Sequence, residues 1–580
     1  MTVAKSALLF TAALGGAAML GGTATAAAKV VAAGEVLDMS EDLVLSGSDS
    51  LTAGADGGPR CTIHGHGKTI RSADGWTGSL TIKSCDIDQL GAANADAINV
   101  SSPAAGDYTI TDTGFSASGQ LIFGLGGDRG MTFQRNLIAA DSVVSAVVAL
   151  DSSAPSVYIT GMSSAPKLFQ GNVVLHSRVQ FQNTNNWLIG GMAASEGNVL
   201  AGTRVGFEFD NLNDSQIIGN YSHTTIPELG WNQVKNLEGN GANLTIQHNV
   251  LWGFNWLLEV SVKGEVSYNL LIDDVERGWA LLRDKAGTKL HHNLLIATKD
   301  SQFDPQAAFV VNLGIDQSST DQTEVFNNTF AGGGVCVPAV HGLVLIDDGY
   351  LPSLRSNAFV DARVRAGLGG LIRGTRLDYT DYNLFYLPDS PEHTTVYALD
   401  SVSKTPGDPG FGAHDVTVPG KAGQLTIPLY ADKIPRAFPF AESEVVGRQT
   451  TVCQILAYYR KVYTPVASAG MLGAGDPADG AHNSIGAIGV GADDALDLFG
   501  RAASCDPNDI GHPSTDPSLY KCTAVPASGG GGTTVDPNAS HGFMCVCDAG
   551  ASHQGATPLL PIFALAGVAL AARPRRRGRR

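Results

Sequence analysis

Residues 266–296 read VSYNLLIDDVERGWALLRDKAGTKLHHNLLI, and this stretch contains nearly the same phrase twice. Tyr-Asn-Leu-Leu-Ile returns as His-Asn-Leu-Leu-Ile, with Asn269 in the first phrase and Asn293 in the second. The return of a short apolar phrase after such an interval is typical of proteins built from stacked structural repeats. The stretch therefore predicts a repeat architecture.

An asparagine recurs inside short apolar runs over much of the chain. The intervals between these asparagines are longer than one strand and much shorter than a domain. Each run is rich in Val, Ile, Leu and Phe and is broken by Gly, Asn or Asp, which predicts short strands joined by tight turns rather than helices. The asparagines are Asn136, Asn172, Asn198, Asn220, Asn249, Asn269, Asn293, Asn328, Asn357 and Asn383.

We predict an all-β fold, a right-handed parallel β-helix solenoid, in which each repeat forms one coil of three strands and three turns. Coil-on-coil stacking brings each asparagine beside its equivalent, so that their amides can form a hydrogen-bonded ladder. The expected role of Asn269 and Asn293 is therefore structural. In the doublet His291-His292, strand alternation predicts side chains on opposite faces, which would not bind one metal ion together.

Two groups of segments resemble the pectate-lyase-like β-helix superfamily. CTIHGHGKTI (residues 61–70) and GSLTIKSCDI (78–87) are similar to its opening coils. DYNLFY (381–386) with GDPGF (407–411), and GDPADGAHNSIGAIG (475–489), are similar to its closing segment. The resemblance spans about residues 35–490 and implies the fold while saying little about chemistry. Residues 451–463 have helical periodicity, and we expect them to cap the end coil.

The N-terminus predicts export. Lys5, an apolar run and the small residues Ala24-Thr25-Ala26 have the build of a secretory signal, with a buried N-terminal helix as the alternative. Cysteines would then meet an oxidising compartment. We expect disulfides between Cys61 and Cys85 and between Cys505 and Cys522, while a Cys336–Cys453 pairing stays open because sequence does not fix connectivity.

The C-terminus predicts membrane attachment. An apolar run over residues 558–572 precedes an arginine cluster within residues 573–580. The run is short for a full membrane span. With Cys545 or Cys547 before it, the tail resembles the C-terminal sorting signals of myxobacterial surface proteins, with an ordinary membrane-anchoring helix as the alternative. The predicted divisions are a signal peptide (1–28), the β-helix (29–430), a closing segment and cap (431–500), a Cys/Gly-rich linker (501–556) and the anchor (557–580).

Charged residues fall into one line when they are counted back from the next ladder asparagine. Glu238, Glu259 and Arg283 precede their ladder asparagines at equal or nearly equal offsets. Equal offsets predict neighbouring positions on consecutive coils, about 4.8 Å apart. Lys263 follows Glu259 closely and, in an extended segment, lies on the same side. A looser stack is predicted for a set of aromatic residues suited to holding sugars, Trp231, Trp252 and Trp279.

This arrangement weakly resembles the alginate and chondroitin lyases built on β-helices. The resemblance implies Lys263 as base, Arg283 as acid, and Glu238 with Glu259 as ligands of calcium, the one cofactor it suggests. The residues after Arg283 differ from the family pattern. A purely structural charge stack, and corner packing for the tryptophans, remain the alternatives.

The composition limits the function. The net charge is −17 with 16% charged residues, and no basic stripe suggests nucleic-acid binding. No nucleophilic triad, phosphate loop, zinc spacing or dinucleotide fingerprint is present. The expectation is a cell-surface or secreted protein of the bacterial envelope that engages a polysaccharide or surface glycan along one face, without settled enzymatic activity. The alternative is a calcium-dependent polysaccharide lyase acting on a uronate polymer.

Overall fold

A computed structural model shows a parallel β-solenoid whose coils have three faces, which we call sheets A, B and C. The predicted signal peptide (1–28), except for Ala28, and the predicted anchor (557–580) lie outside the described residues. The described ranges are 28–91, 95–101, 106–139, 157–203, 205–224, 235–253, 256–273, 282–284, 287–297, 311–313, 322–331, 344–346, 351–360, 371–374, 376–388, 396–400, 402–420, 427–435, 437–489, 509–520, 523–524 and 545–546.

Sheet A is formed by the strand that precedes the asparagine corner in each coil, and its strands pair in parallel. Short apolar alternation, as in Leu80–Lys83, turns one side inward and the other outward. Its separate strands are Ala28–Val31, Ser50–Ala53, Leu80–Lys83, Tyr108–Thr111, Met131–Gln134, Lys167–Gln170, Trp187–Gly190, Lys289–His291, Glu324–Phe326, Ser353–Arg355 and Tyr379–Asp381.

Sheet B follows the corner and contains fifteen described strands in sequence order. Its strands are Val36–Asp38, Cys61–His64, Cys85–Asp88, Gly114–Ser116, Leu137–Ala139, Val173–Leu175, Val199–Thr203, Tyr221–Thr224, Val250–Gly253, Leu270–Asp273, Leu294–Ala297, Thr329–Ala331, Ala358–Val360, Leu384–Pro388 and Val416–Gly420.

Sheet C completes each coil. Three long strands run from sheet C around a corner into the next strand position of sheet A, Val205–Ile218, Lys235–Gln247 and Trp256–Ser267. The last strand of sheet C turns back antiparallel on its neighbour. The separate strands are Leu43–Leu45, Ile70–Ser72, Asp96–Ser101, Gln120–Gly124, Val157–Thr160, Val179–Asn185, Leu282–Asp284, Val311–Leu313, Val344–Ile346, Ile372–Gly374, Tyr397–Leu399 and Val402–Lys404.

The asparagine ladder is confirmed at the corner between sheets A and B. The side-chain oxygen of Asn269 accepts hydrogen bonds from the backbone N–H and the amide Nδ2 of Asn249, at 3.0 and 2.9 Å. Asn269 donates in the same way to Asn293, and the pattern continues from Asn136 to Asn383. All ten side chains are buried, and the ladder gives each amide the hydrogen-bond partners that water would otherwise provide. The last acceptor is a carboxylate, because the Asn383 N–H donates to Asp415.

Residues 427–435 and 437–489 form a cover over the outer face of sheet B, which we call the C-terminal cover. The described part of the chain has two α-helices, α1 (Glu442–Val446) and α2 (Val452–Tyr463), both in this cover. Thr451 begins α2 with a capping box that includes Gln454. Three 3₁₀ turns complete the described helical segments, Ala467–Ala469, Pro477–His482 and Pro517–Tyr520.

The predicted helix is therefore confirmed, but its expected place at the end coil is wrong. Ile455, Leu456 and Tyr459 of α2 belong to a second hydrophobic core, which they share with outward side chains of sheet B such as Val250 and Leu270. The helix covers the flank because these strands are apolar on both faces and need a partner outside the solenoid as well as inside it.

One predicted disulfide is confirmed, Cys61–Cys85, between residues paired on adjacent strands of sheet B. Cys453 is also disulfide-bonded. The predicted Cys505–Cys522 bond, Cys336 and Cys547 lie outside the described residues. Cys545 begins a short strand, Cys545–Val546, which pairs antiparallel with Thr523–Ala524. Among the described residues, none of the helices is both long and apolar enough to cross a membrane.

Candidate functional site

A row of polar residues runs along the outer face of sheet C. The strand register aligns Gln180 with Glu208, Glu208 with Glu238, and Glu238 with Glu259, and it aligns Glu259 with Arg283. The stacking predicted for Glu238, Glu259 and Arg283 is therefore confirmed at the backbone level. The side chain of Arg283 lies outside what the structure describes.

Glu208 belongs to this row, and sequence reasoning missed it. It lies slightly further from its ladder asparagine, Asn220, than Glu238 and Glu259 lie from theirs. The strands shift register near Phe209, which adds to the chain between the row and the corner. A count that allowed for one bulge would have found it.

The row changes from accessible to enclosed along the solenoid axis. The Glu208 side chain is 25% exposed and accepts hydrogen bonds from Arg178 Nη1 at 2.6 Å and Gln180 Nε2 at 3.1 Å. Glu238 is half-buried, and Glu259 is only 3% exposed. Three carboxylates on consecutive coils thus share one line, and the first of them, Glu208, is held by a cation and an amide.

A second polar line runs beside the first, towards the corner between sheets C and A. Gln182 Nε2 donates to Asp210 Oδ2 at 3.0 Å, and Tyr158 bonds to Gln182. The line continues in exposed amides at the corner, where Asn211 Nδ2 donates to Asn183 Oδ1 at 3.1 Å and the backbone N–H of Asn211 donates to Asn240. This partly exposed set presents both donors and acceptors, and its sequence signal was the Asn-rich run at residues 183–186 and 211–213.

Lys263 does not join the row. It is exposed, and its register partner is Ala242, four residues after Glu238 and just before the register shift at the corner. Glu259 lies in the middle of sheet C between the core residues Leu258 and Val260. The structure therefore places the expected base and the expected metal ligands on the same long strand but at different positions of the coil.

The tryptophan stack is not assembled in the described residues. Trp231 and Trp279 lie outside them. Trp252 lies on sheet B, where its ring stacks on His223 at 3.6 Å and on Phe438 of the C-terminal cover at 4.3 Å between centroids. Its ring packs against two other protein rings, so the structure gives it the packing role that was the alternative to sugar binding.

The expectation that the side chains of His291 and His292 point to opposite faces is wrong. His292 has a left-handed backbone with φ of 53°, because it is the turn residue just before the ladder asparagine. The turn breaks strand alternation, and the two Nδ1 atoms lie 2.9 Å apart. The doublet thus converges where alternation predicted that it would diverge.

No group of three or more His, Cys, Asp or Glu side chains able to hold a metal ion occurs in the described part of the chain. Glu238 and Glu259 are adjacent in register, but the described residues add no third ligand to them. A calcium site here stays a prediction.

Comparisons with known proteins give no family. No family model, no curated protein and no solved structure matches this chain. The pectate-lyase-like likeness thus rests on the residues quoted above and on the parallel solenoid.

Proposed function

We propose that the protein is a carbohydrate-engaging module of the right-handed, pectate-lyase-like β-helix type, with its binding surface along sheet C. The observation that supports this is the pair of polar lines on consecutive coils. Strand spacing repeats a carboxylate or amide about every 4.8 Å along the axis. A repeating array of donors and acceptors is suited to a repeating polymer of hydroxyl groups.

The negative charge of this surface limits the class of glycan that it can bind. Glu208, Glu238 and Asp210 dominate the accessible part of the surface, and the chain carries a net charge of −17. Like charges directly opposed at an interface are unfavourable, so an acidic polymer would need a bridging cation. The surface therefore favours a neutral or amino-sugar glycan over a uronate.

The test is a glycan array probed with the full chain, followed by affinity measurements on the glycans retained. Glu238→Ala should weaken binding about tenfold, the loss of one contact of about 1.4 kcal/mol. Glu324→Ala is the matched control, since Glu324 is a half-buried glutamate on sheet A. Retention of no glycan, or equal losses in both variants, would contradict the proposal.

The lyase alternative is favoured by the register of Glu259 with Arg283 and by the exposure of Lys263. In that case Lys263→Ala should abolish turnover of a uronate polymer, measured as ultraviolet absorbance of the unsaturated product with added calcium. Thermal stability should be nearly unchanged because an exposed Lys contributes little to folding. A wild-type protein that cleaves no uronate polymer removes this alternative.

We further propose that the protein is secreted and held at the envelope through its C-terminus. The support is the hydrophobic run and arginine cluster that follow Cys545 in the sequence. Deleting residues 545–580 should release the protein into the medium, as seen by fractionation and immunoblotting. Identical distribution of the truncated and full-length chains would contradict the anchor.

A further inference from the structure

The corner between sheets A and B brings two imidazoles together. His291 is the last residue of the strand Lys289–His291, and His292 is the turn residue at the corner. Their Nδ1 atoms are 2.9 Å apart and their ring planes are nearly perpendicular, at 87°. His291 stacks on Phe326, with centroids 4.8 Å apart, and His292 stacks on Tyr268 at 5.1 Å. Each ring is therefore held by its own aromatic neighbour.

The contacts of His291 Nε2 determine which ring nitrogen of His291 carries the proton. Its Nε2 lies 3.1 Å from Glu265 Oε1, and Glu265 also accepts from Ser267 Oγ at 2.8 Å and Gln247 Nε2 at 2.7 Å. Because this carboxylate oxygen accepts both of those hydrogen bonds, the matching group on His291 is an Nε2–H donor, and Nδ1 of the neutral ring then carries a lone pair.

We propose that Nδ1 of His291 and Nδ1 of His292 are neighbouring ligands of one divalent late transition-metal ion, with Cu²⁺ preferred. Two nitrogens at about 2.0–2.1 Å from one ion and at right angles to each other are about 2.9 Å apart. Nitrogen ligands separated by an N–metal–N angle of about 90° are typical of tetragonal Cu²⁺ and Ni²⁺ sites. Among the divalent first-row metals, Cu²⁺ has the highest affinity for nitrogen ligands. The remaining positions are filled by water or by an external ligand, since no third ligating side chain completes a group among the described residues.

Glu265 is the positioning residue of this site. A ligating histidine commonly donates its other N–H to a carboxylate, which orients the ring and raises its basicity. Glu265 is itself oriented by Ser267, on the same strand, and by Gln247, on the preceding coil. This arrangement distinguishes the pair from a chance meeting of two surface histidines. The site lies on sheet A and does not depend on the carbohydrate proposal.

A shared proton between the two Nδ1 atoms is the competing explanation of the 2.9 Å distance. In that case one imidazole donates and the other accepts, and the pair has no selective affinity for a metal ion. Both explanations use the same geometry, so only a metal titration separates them.

The test is a titration of the full-length wild-type chain with Cu²⁺, followed by calorimetry and by electron paramagnetic resonance. We expect one saturable site whose spectrum shows two nitrogen ligands. Because the chain has 14 histidines, His64 and His66, whose rings are 6.1 Å apart, are replaced by Gln in a parallel background. Loss of the site in that background would overturn the proposal.

The variants localise the ion. His292→Gln should remove the saturable site, and Glu265→Gln should weaken it by about 10- to 100-fold. His248→Gln is the matched control, because His248 is the turn residue of the same column two coils earlier and stacks on Tyr268 at 5.2 Å. It should leave the affinity unchanged. Circular dichroism and thermal unfolding check that each variant folds. If a variant fails to fold, the wild-type spectrum decides.

A wild type that binds Cu²⁺ no more tightly than His292→Gln, or whose bound ion shows fewer than two nitrogen ligands, overturns the proposal in favour of the shared proton.

Discussion

Sheet B differs between its two halves at the same strand positions. One outward column contains Thr62, Asp86 and Gly114 in the first coils and becomes Leu270 and Leu294 further along. The early positions are open to solvent, whereas the later ones are buried beneath the C-terminal cover. A parallel sheet can thus present one face to water when its outward column is polar, and it needs a second layer when that column is apolar.

The corner column differs in the same way. In the early coils it contains Cys61 and Cys85, joined by a disulfide, and then Thr113, whose backbone N–H donates to Asn136 at 3.0 Å. From Asn136 onward the same position is the asparagine ladder. The early coils are therefore joined covalently and by exposed ion pairs, and the later coils by buried amides and a packed cover.

The largest expected effect comes from breaking the cover. Phe438 packs against Tyr221, Trp252 and Tyr459, so Phe438→Ala should lower the free energy of unfolding by about 3–5 kcal/mol. Leu137→Ala, at a 46% exposed position of the open half, should change it by no more than about 0.5 kcal/mol. Urea unfolding followed by circular dichroism compares them, and similar shifts would refute the distinction between halves.

The next effect concerns the covalent link. Replacing both Cys61 and Cys85 by Ala removes a bond between residues with a sequence separation of 24 and should lower stability by about 3 kcal/mol. Wild type treated with a reductant should approach the variant in the same urea titration, while the variant itself should be insensitive. A variant as stable as the oxidised wild type would show that this disulfide adds nothing to the early coils.

Breaking the ladder should have a somewhat smaller effect. Asn269→Ala leaves the backbone N–H and amide of Asn249 without their acceptor, at a cost of about 1–3 kcal/mol. Asn240→Ala is the control, because Asn240 is an exposed asparagine at the other corner. Hydrogen exchange at the Asn249 amide should rise only in the first variant. An equal rise in both would refute the role of the ladder.

The smallest effects are those of single hydrogen-bonded carboxylates, and their dependence on pH and salt sharpens the comparison between the two halves. The lowered pKa of Glu265 means that its stabilisation is present above its unfolded value of 4.5 and is lost as the pH falls towards about 2. Because Glu265 is partly exposed, the contribution is about 1–2 kcal/mol after solvent screening. Wild type and Glu265→Gln should therefore converge in stability on acidification.

Arg60→Ala provides the counterpart in the open half. The Arg60 and Asp86 side chains are 46% and 58% exposed, so salt should screen their interaction and the variant should lose at most about 0.5 kcal/mol. A loss as large as that of Glu265→Gln would contradict the difference between a carboxylate that accepts several hydrogen bonds and an exposed ion pair.

Several features could be predicted because they depend on spacing alone. The recurrence of Asn249, Asn269 and Asn293 determined the coil length, and counting back from them aligned Glu238 with Glu259. The spacing of the two cysteines of the disulfide, Cys61 and Cys85, is one coil in the same count. Register in a solenoid is additive along the chain, so a repeat read from the sequence carries over to neighbouring positions.

Other features could not be predicted because they depend on contacts between distant segments or on single turns. Phe438 is far from Trp252 in the sequence, and nothing near either residue shows that their rings stack. The same holds for Glu442, whose carboxylate lies 2.5 Å from His223. The register shift near Phe209 concealed Glu208, and the left-handed turn at His292 reversed the expected direction of its ring.

The sequence by itself determined the parallel solenoid, its asparagine corner and the line of charges, because each follows from a period along the chain. Only the tertiary structure decided which outward columns are open, since the apolar positions of sheet B are buried by a segment that follows the last coil. It also decided that His291 and His292 converge, because strand alternation ends at a corner and the corner is set by the ladder beneath it.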